Sequence, residues 1–174
     1  MSILKVILYK ISAVLRCRVI NGPDGQAYLE RYHLCRLPFG FSIYLHRFIN
    51  SDPGRGLHNH PWQSALSWVI YGRYKELRMT DAKHQNQLIE RHLKAGQFNV
   101  INGSIFHRIN LIPGEECWSI FIHSRPVNDW GFIQSGKRRL AYHDHNKVLQ
   151  TKGNPDWWKT ATRPIGEPSM RAPL

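Results

Sequence analysis

Gly56-Leu57-His58-Asn59-His60-Pro61-Trp62 decides how this chain is read, together with a second histidine segment, Asn102-Gly103-Ser104-Ile105-Phe106-His107. His58 and His60 stand two apart. On an extended strand both imidazoles then face the same side of a sheet, because side chains alternate with period two. Two such nitrogens and a third from His107 on a neighbouring strand form a half-shell for a metal ion. The open half is left for water or substrate.

Outward from this stretch the chain reads as strands. Residues 28–37 and 41–49 are rich in aromatic and branched side chains and are joined through Pro38-Phe39-Gly40, a hairpin-like connection. Residues 64–71 and 73–79 flank Gly72, which predicts strand, tight turn, strand. Residues 87–93, 97–101, 105–112 and 117–123 continue the series, with Ile112-Pro113-Gly114-Glu115 a turn. Residues 130–133 and 138–142 could close it. About ten short strands with turns between them predict an all-β sandwich or barrel.

At the N-terminus Leu4, Ile7, Leu8, Ile11, Val14 and Leu15 fall at helical spacing. An amphipathic helix is expected over residues 1–20, ending before Asn21-Gly22-Pro23-Asp24-Gly25 and covering an opening of the domain. Its basic residues also fit a membrane surface. The domain itself is expected over 26–150. Residues 151–174, broken by glycine and proline, are expected as an irregular tail whose start Trp157 and Trp158 pin to the domain.

Composition narrows the class. Hydrophobic residues make up 42% of the 174, ordinary for a soluble domain with a real core. No apolar run reaches the length of a membrane span, and Lys5, Lys10, Arg16 and Arg18 interrupt any leader-like segment, which predicts a cytoplasmic protein. Cys17, Cys35 and Cys117 are odd in number and form no CxxC, so free thiols are expected rather than disulfides. Twenty-four Lys and Arg against 12 Asp and Glu give a formal charge of +12. That imbalance attracts anionic ligands, but the charges are scattered, which makes nucleic acid a weakly supported partner. No G-x-S-x-G, phosphate loop or dinucleotide fingerprint is present, which argues against nucleophilic hydrolysis and NAD chemistry.

The two histidine segments resemble the paired motifs of the cupin superfamily, small jelly-roll β-barrels. The first motif of that family runs G-x5-H-x-H-x3-4-E-x6-G. His58 and His60 fit it, Gly72 stands at its closing glycine, and its opening glycine is displaced to Gly54 or Gly56. The second runs G-x5-P-x-G-x2-H-x3-N. Gly96 and His107 fit, Asn102 and Ser104 replace the proline and the second glycine, and Asn110 lies one place early. The H-x-H-P-W segment, Gly72 to Glu76 and Asp129 to Phe132 look like a group of small bacterial and phage cupin-like proteins.

The resemblance implies a jelly-roll barrel and one divalent ion. Where most metal cupins carry a glutamate, this chain has Ser64 or Ala65. The implied ligand set is three neutral histidines, similar to that of the thiol dioxygenases, with Gln63 or Glu76 a candidate fourth ligand. Neutral ligands leave the ion its full +2, which favours an anionic chelating substrate. Fe(II) is the expected ion, although imidazole also suits Ni, Cu and Zn, and Mn is a further candidate. Arg73, Arg47 and Arg108 are candidates to hold a substrate carboxylate, and Arg73 and Glu76 to act in catalysis.

Of the other histidines, His33, His46 and His123 are expected part-buried and hydrogen-bonded, with His46 able to support the ligands. His84, His92 and the pair His143 and His145 are expected at the surface. Trp62, Trp68, Trp118 and Trp130 are expected in the core or cavity wall. Two functions follow. One is a non-haem iron oxygenase acting on a small anionic substrate. The other is a non-catalytic cupin binding module for a small ligand, nucleic acid or a protein partner, with a homodimer compatible with either.

Overall fold

Strand signals at this density call for ladders to take up the backbone donors, and the ladders form two sheets. The structure, a computed structural model, describes residues 2–54, 56–79, 88–127, 129–133, 139–141 and 156–164. His84, His143 and His145 lie outside the described residues. The order is helix α1 (Ile3–Ala13), then β1 (Arg16–Asn21), β2 (Ala27–Arg36), β3 (Ser42–Phe48), β4 (Leu57–His58), β5 (Ser64–Tyr71) and β6 (Arg73–Met79). After these come β7 (Leu88–Lys94), β8 (Phe98–Asn102), β9 (Phe106–Asn110), β10 (Cys117–His123), β11 (Gly131–Ile133), β12 (Arg139–Ala141) and a short helix α2 (Trp157–Thr160).

One sheet runs β1-β2-β3-β10-β5-β8 and the other β12-β11-β4-β9-β6-β7. The pairs β3/β10, β4/β9, β5/β8 and β6/β7 are all antiparallel. Eight consecutive strands thus behave as one long hairpin rolled into two layers, the connectivity of a jelly roll. The all-β fold class is as the sequence implies. The barrel is not: among the described residues no strand of one sheet pairs with a strand of the other, so the two layers face each other as an open sandwich.

Three further corrections have physical causes. The N-terminal helix stops at Ala13, and Arg16–Asn21 instead forms β1, pairing in register with β2 from Arg16↔His33 onward. Ladder hydrogen bonds with a waiting sheet edge outweigh a weak helical pattern. Helix α1 does not cover an opening of the domain. It lies on the outer face of the first sheet, where Leu8 packs with Tyr32, Leu45 and Trp118. Beneath it Arg47 pairs with Glu116 at 2.7 Å and Glu30 at 3.2 Å, so this arginine faces away from the space between the sheets. The tail is not wholly irregular: α2 buries Trp157 against Tyr44, Trp62 and Phe121, and Trp158 stacks on His33 at 4.5 Å. The two tryptophans do pin the tail to the domain.

Gly72 closes the β5–β6 turn with φ +76, and a Cβ there would meet the Glu116 carbonyl oxygen at 2.2 Å. Only glycine fits. Trp68 departs from its expected place in the core; it is 42% exposed and stacks on Phe98 on the outer face of the first sheet. No described helix is long and apolar enough to cross a membrane. Cys17, Cys35 and Cys117 are thiols, none of them in a disulfide.

Candidate metal centre

The jelly roll brings the two histidine segments together because β4 and β9 are partners, and the single registered pair between them is His58↔His107. Strand β4 is only two residues long, so His60 lies just beyond its end rather than on it. His60 still reaches the site. Asn59 between them is 3% exposed, donates to the Gly103 carbonyl at 2.7 Å and accepts from the Gly131 N–H at 2.7 Å. Those two bonds tie the His58–His60 segment to the turn preceding His107 and to β11.

The ligand atoms of His58, His60 and His107 all lie within 4.8 Å of one another. The His60 and His107 Nε2 atoms are 2.8 Å apart. Two nitrogens at about 2.1 Å from one ion and at right angles would stand about 3 Å apart, so the donor set fits a divalent metal with little adjustment.

Glu76, on β6, is fully buried and touches the site from behind. Its Oε1 lies 2.7 Å from His107 Nδ1, and Arg78, Arg91 and Asn99 also donate to its carboxylate. Burial would raise the pKa of Glu76, but the hydrogen bonds from His107, Asn99 and Arg78 prevail and hold it at about 2. An ionised carboxylate only accepts. His107 Nδ1 therefore carries the proton, and the Nε2 lone pair is left facing the other histidines. Burial, reinforced by His58, His107 and Arg31, keeps His60 well below the usual histidine range and so neutral. Asp52 Oδ2 stands 3.8 Å from His58 Nδ1 and accepts from the Ile109 N–H.

The trio opens into a cavity of about 680 Å³ between the sheets. Trp62 stacks on His60 at 4.6 Å, and Phe121, Phe48, Trp130 and Phe132 line the same space. The structure does not bring Gln63 or Arg73 to the trio: Gln63 is exposed and outside the cavity lining, and Arg73 is an exposed partner of Glu115 at 2.7 Å. Arg47 and Arg108 do not line the cavity either. Glu76 is fully buried and absent from the cavity lining; its carboxylate orients the His107 ring.

Two arginines line the cavity, Arg18 of β1, which is exposed, and Arg31 of β2, which is half-buried, and neither stands in a sequence motif. The Nε of Arg31 donates to His46 Nε2 at 3.1 Å and its guanidinium lies over the Tyr44 ring at 5.4 Å. His46 and His123 are buried and hydrogen-bonded as expected, and His46 serves Arg31 rather than a member of the trio.

No protein-family model and no curated protein matches the chain. Similar solved structures exist. Among them are an oxalate oxidase (17% identity, 78% of this chain and 71% of that one, TM-score 0.49) and a cupin-2 domain protein from Shewanella frigidimarina (18%, 55% and 79%, 0.43). A third is the hydroxypropylphosphonic acid epoxidase of S. wedmorenis (13%, 63% and 55%, 0.45). The chain spans little more than half the length of the epoxidase it matches. At these identities and TM-scores the likeness carries no inference about substrate or reaction.

Proposed function

We propose that this protein binds one divalent metal ion through His58, His60 and His107 and acts as a metal-dependent oxygenase on a small anionic substrate, with Fe(II) the working ion. The observation that carries the reading is the trio itself: three histidine nitrogens converging at the edge of a cavity with aromatic walls, one of them set in tautomer by an ionised glutamate. Bound iron would supply a centre at which a substrate donor and O₂ meet. The chain's own residues do the rest. Glu76 holds the proton on His107 Nδ1, burial keeps His60 neutral, and Trp62 and Phe121 give the cavity an apolar wall beside the trio. Three uncharged ligands place no negative charge on the ion itself, and the Glu76 carboxylate behind His107 is already met by Arg78 and Arg91, which favours an anionic donor.

Anaerobic loading with Fe(II), followed by oxygen uptake with a panel of thiols, hydroxy acids and keto acids, tests this. Substrate-dependent uptake that disappears in His60→Ala is the expected result. Metal binding with no uptake across the panel would instead make the protein a non-catalytic binding module.

A further inference from the structure

Burying a cation without an anion beside it costs several kcal/mol, so buried arginines are normally paired. Arg47 obeys this rule, with Glu30 and Glu116 on either side. Arg31, half-buried on β2, has no such partner among the described residues. Burial presses its pKa down, and the groups that act on it besides are Tyr44, Tyr28 and Arg18. Among the described residues its hydrogen bond is through Nε, to His46.

The guanidinium is nevertheless held in place. One edge is tied to His46, whose ring stacks on Phe121 at 4.7 Å, and one face rests on Tyr44. The remaining edge, with both Nη groups, is the part that forms two parallel bonds to an oxyanion. Ring contacts then lead from this clamp to the metal ligands: His46 to Phe121, Phe121 to Trp62 at 5.2 Å, and Trp62 to His60. Arg31, His46 and all three ligand histidines line one cavity.

We propose that Arg31 is the anchor for an oxyanion group, so that the cavity takes a small two-headed acid: a donor group facing the histidine trio and a carboxylate, phosphonate or phosphate on the Arg31 fork. Naming the substrate class this way rests on the metal-centre reading above. His46 is a positioning residue that fixes Arg31 through Nε. A cation without a carboxylate beside it among the described residues suits an acidic ligand, and its pre-set orientation lowers the ordering cost of binding.

The test measures, by calorimetry, the affinity of malate and phosphonoacetate for wild type, Arg31→Met and Arg31→Lys, each with and without loaded metal. Azide, which can reach the ion without the fork, serves as the control probe. Wild type should bind both acids, and Arg31→Met should lose about 10- to 100-fold while metal content and azide binding stay unchanged. Arg31→Lys should recover only part, because it keeps the charge without the fork. Arg31→Met should melt no lower than wild type, since it removes an unpaired cation; a lowered Tm with unchanged acid binding would mark Arg31 as a packing residue and overturn the proposal. No binding of either acid to metal-loaded wild type also overturns it. Failure of wild type to take up metal sinks the metal-centre reading alone, since acid binding to the metal-free protein still depends on Arg31. Malate and phosphonoacetate ranked against each other tell carboxylate from phosphorus oxyanion at the fork.

Discussion

His107 Nδ1 and Glu76 Oε1 stand 2.7 Å apart, both side chains almost wholly buried, on adjacent strands whose pairing sets Arg78 opposite His107 and Glu76 opposite Ile109. A carboxylate absent from the first histidine motif is thus present on the neighbouring strand, behind His107. Glu76→Gln keeps the shape and an acceptor oxygen but removes the charge. Metal affinity should fall about 10- to 100-fold, read by competition with a chelator, with the metal-free fold retained.

Removing a ligand should have a larger effect. His58→Ala, His60→Ala and His107→Ala each leave two nitrogens, too few to hold a divalent ion at useful affinity. Metal analysis of protein purified without chelators should show occupancy near zero in all three. Equal metal content in wild type and His107→Ala would falsify the assignment.

Asn59 is a structural prediction with a functional readout. Asn59→Ala breaks the bonds to Gly103 and Gly131 and leaves buried backbone groups without partners. Denaturant unfolding should show a loss of about 2–4 kcal/mol. Metal affinity should fall with it, although Asn59 holds no ligand.

Gly72→Ala should cost about 2–4 kcal/mol from a strained φ and an overlap with backbone. The added Cβ meets a carbonyl that belongs to the β10 approach, not a side chain that can swing aside. A thermal shift within a degree of wild type would show that the turn relaxes.

Stability should depend on pH through the buried histidines. Burial holds His123 at about 4, against an ordinary 6.5; the Ser124 carbonyl opposes this and Arg31 and Arg36 reinforce it. Its folded pKa lies below its unfolded one, so the stability is full above about pH 6.5, declines as pH falls towards 4, and is constant below that. The span corresponds to about 3 kcal/mol. His46 shifts the same way, chiefly by burial. Unfolding free energies at pH 7 and 4.5 should differ accordingly, and His123→Gln should flatten the dependence.

The histidine trio was legible in the sequence because its signal is local: an H-x-H pair beside Pro61-Trp62 and a third histidine at a fixed distance from Gly96. Turns such as Gly72 were legible for the same reason, since backbone conformation selects the residue type. The role of Glu76 was not. It depends on β6 lying beside β9, which local pattern does not specify.

The arginines show the limit most clearly. Strand β2 is covered on one face by α1 and on the other by the cavity, so its burial pattern does not alternate and parity gave no sign that Arg31 faces inward. On β3, Arg47 sits between Leu45 and Phe48 and faces α1, while His46 faces the cavity. What the sequence by itself determined was which residues can bind a metal and where the chain turns, because these follow from chemistry and backbone geometry within a few residues. Which carboxylate backs the ligand, which arginine enters the cavity and where the N-terminal helix rests were decided only by the rolled pairing of strands, because each needs two distant segments in one register.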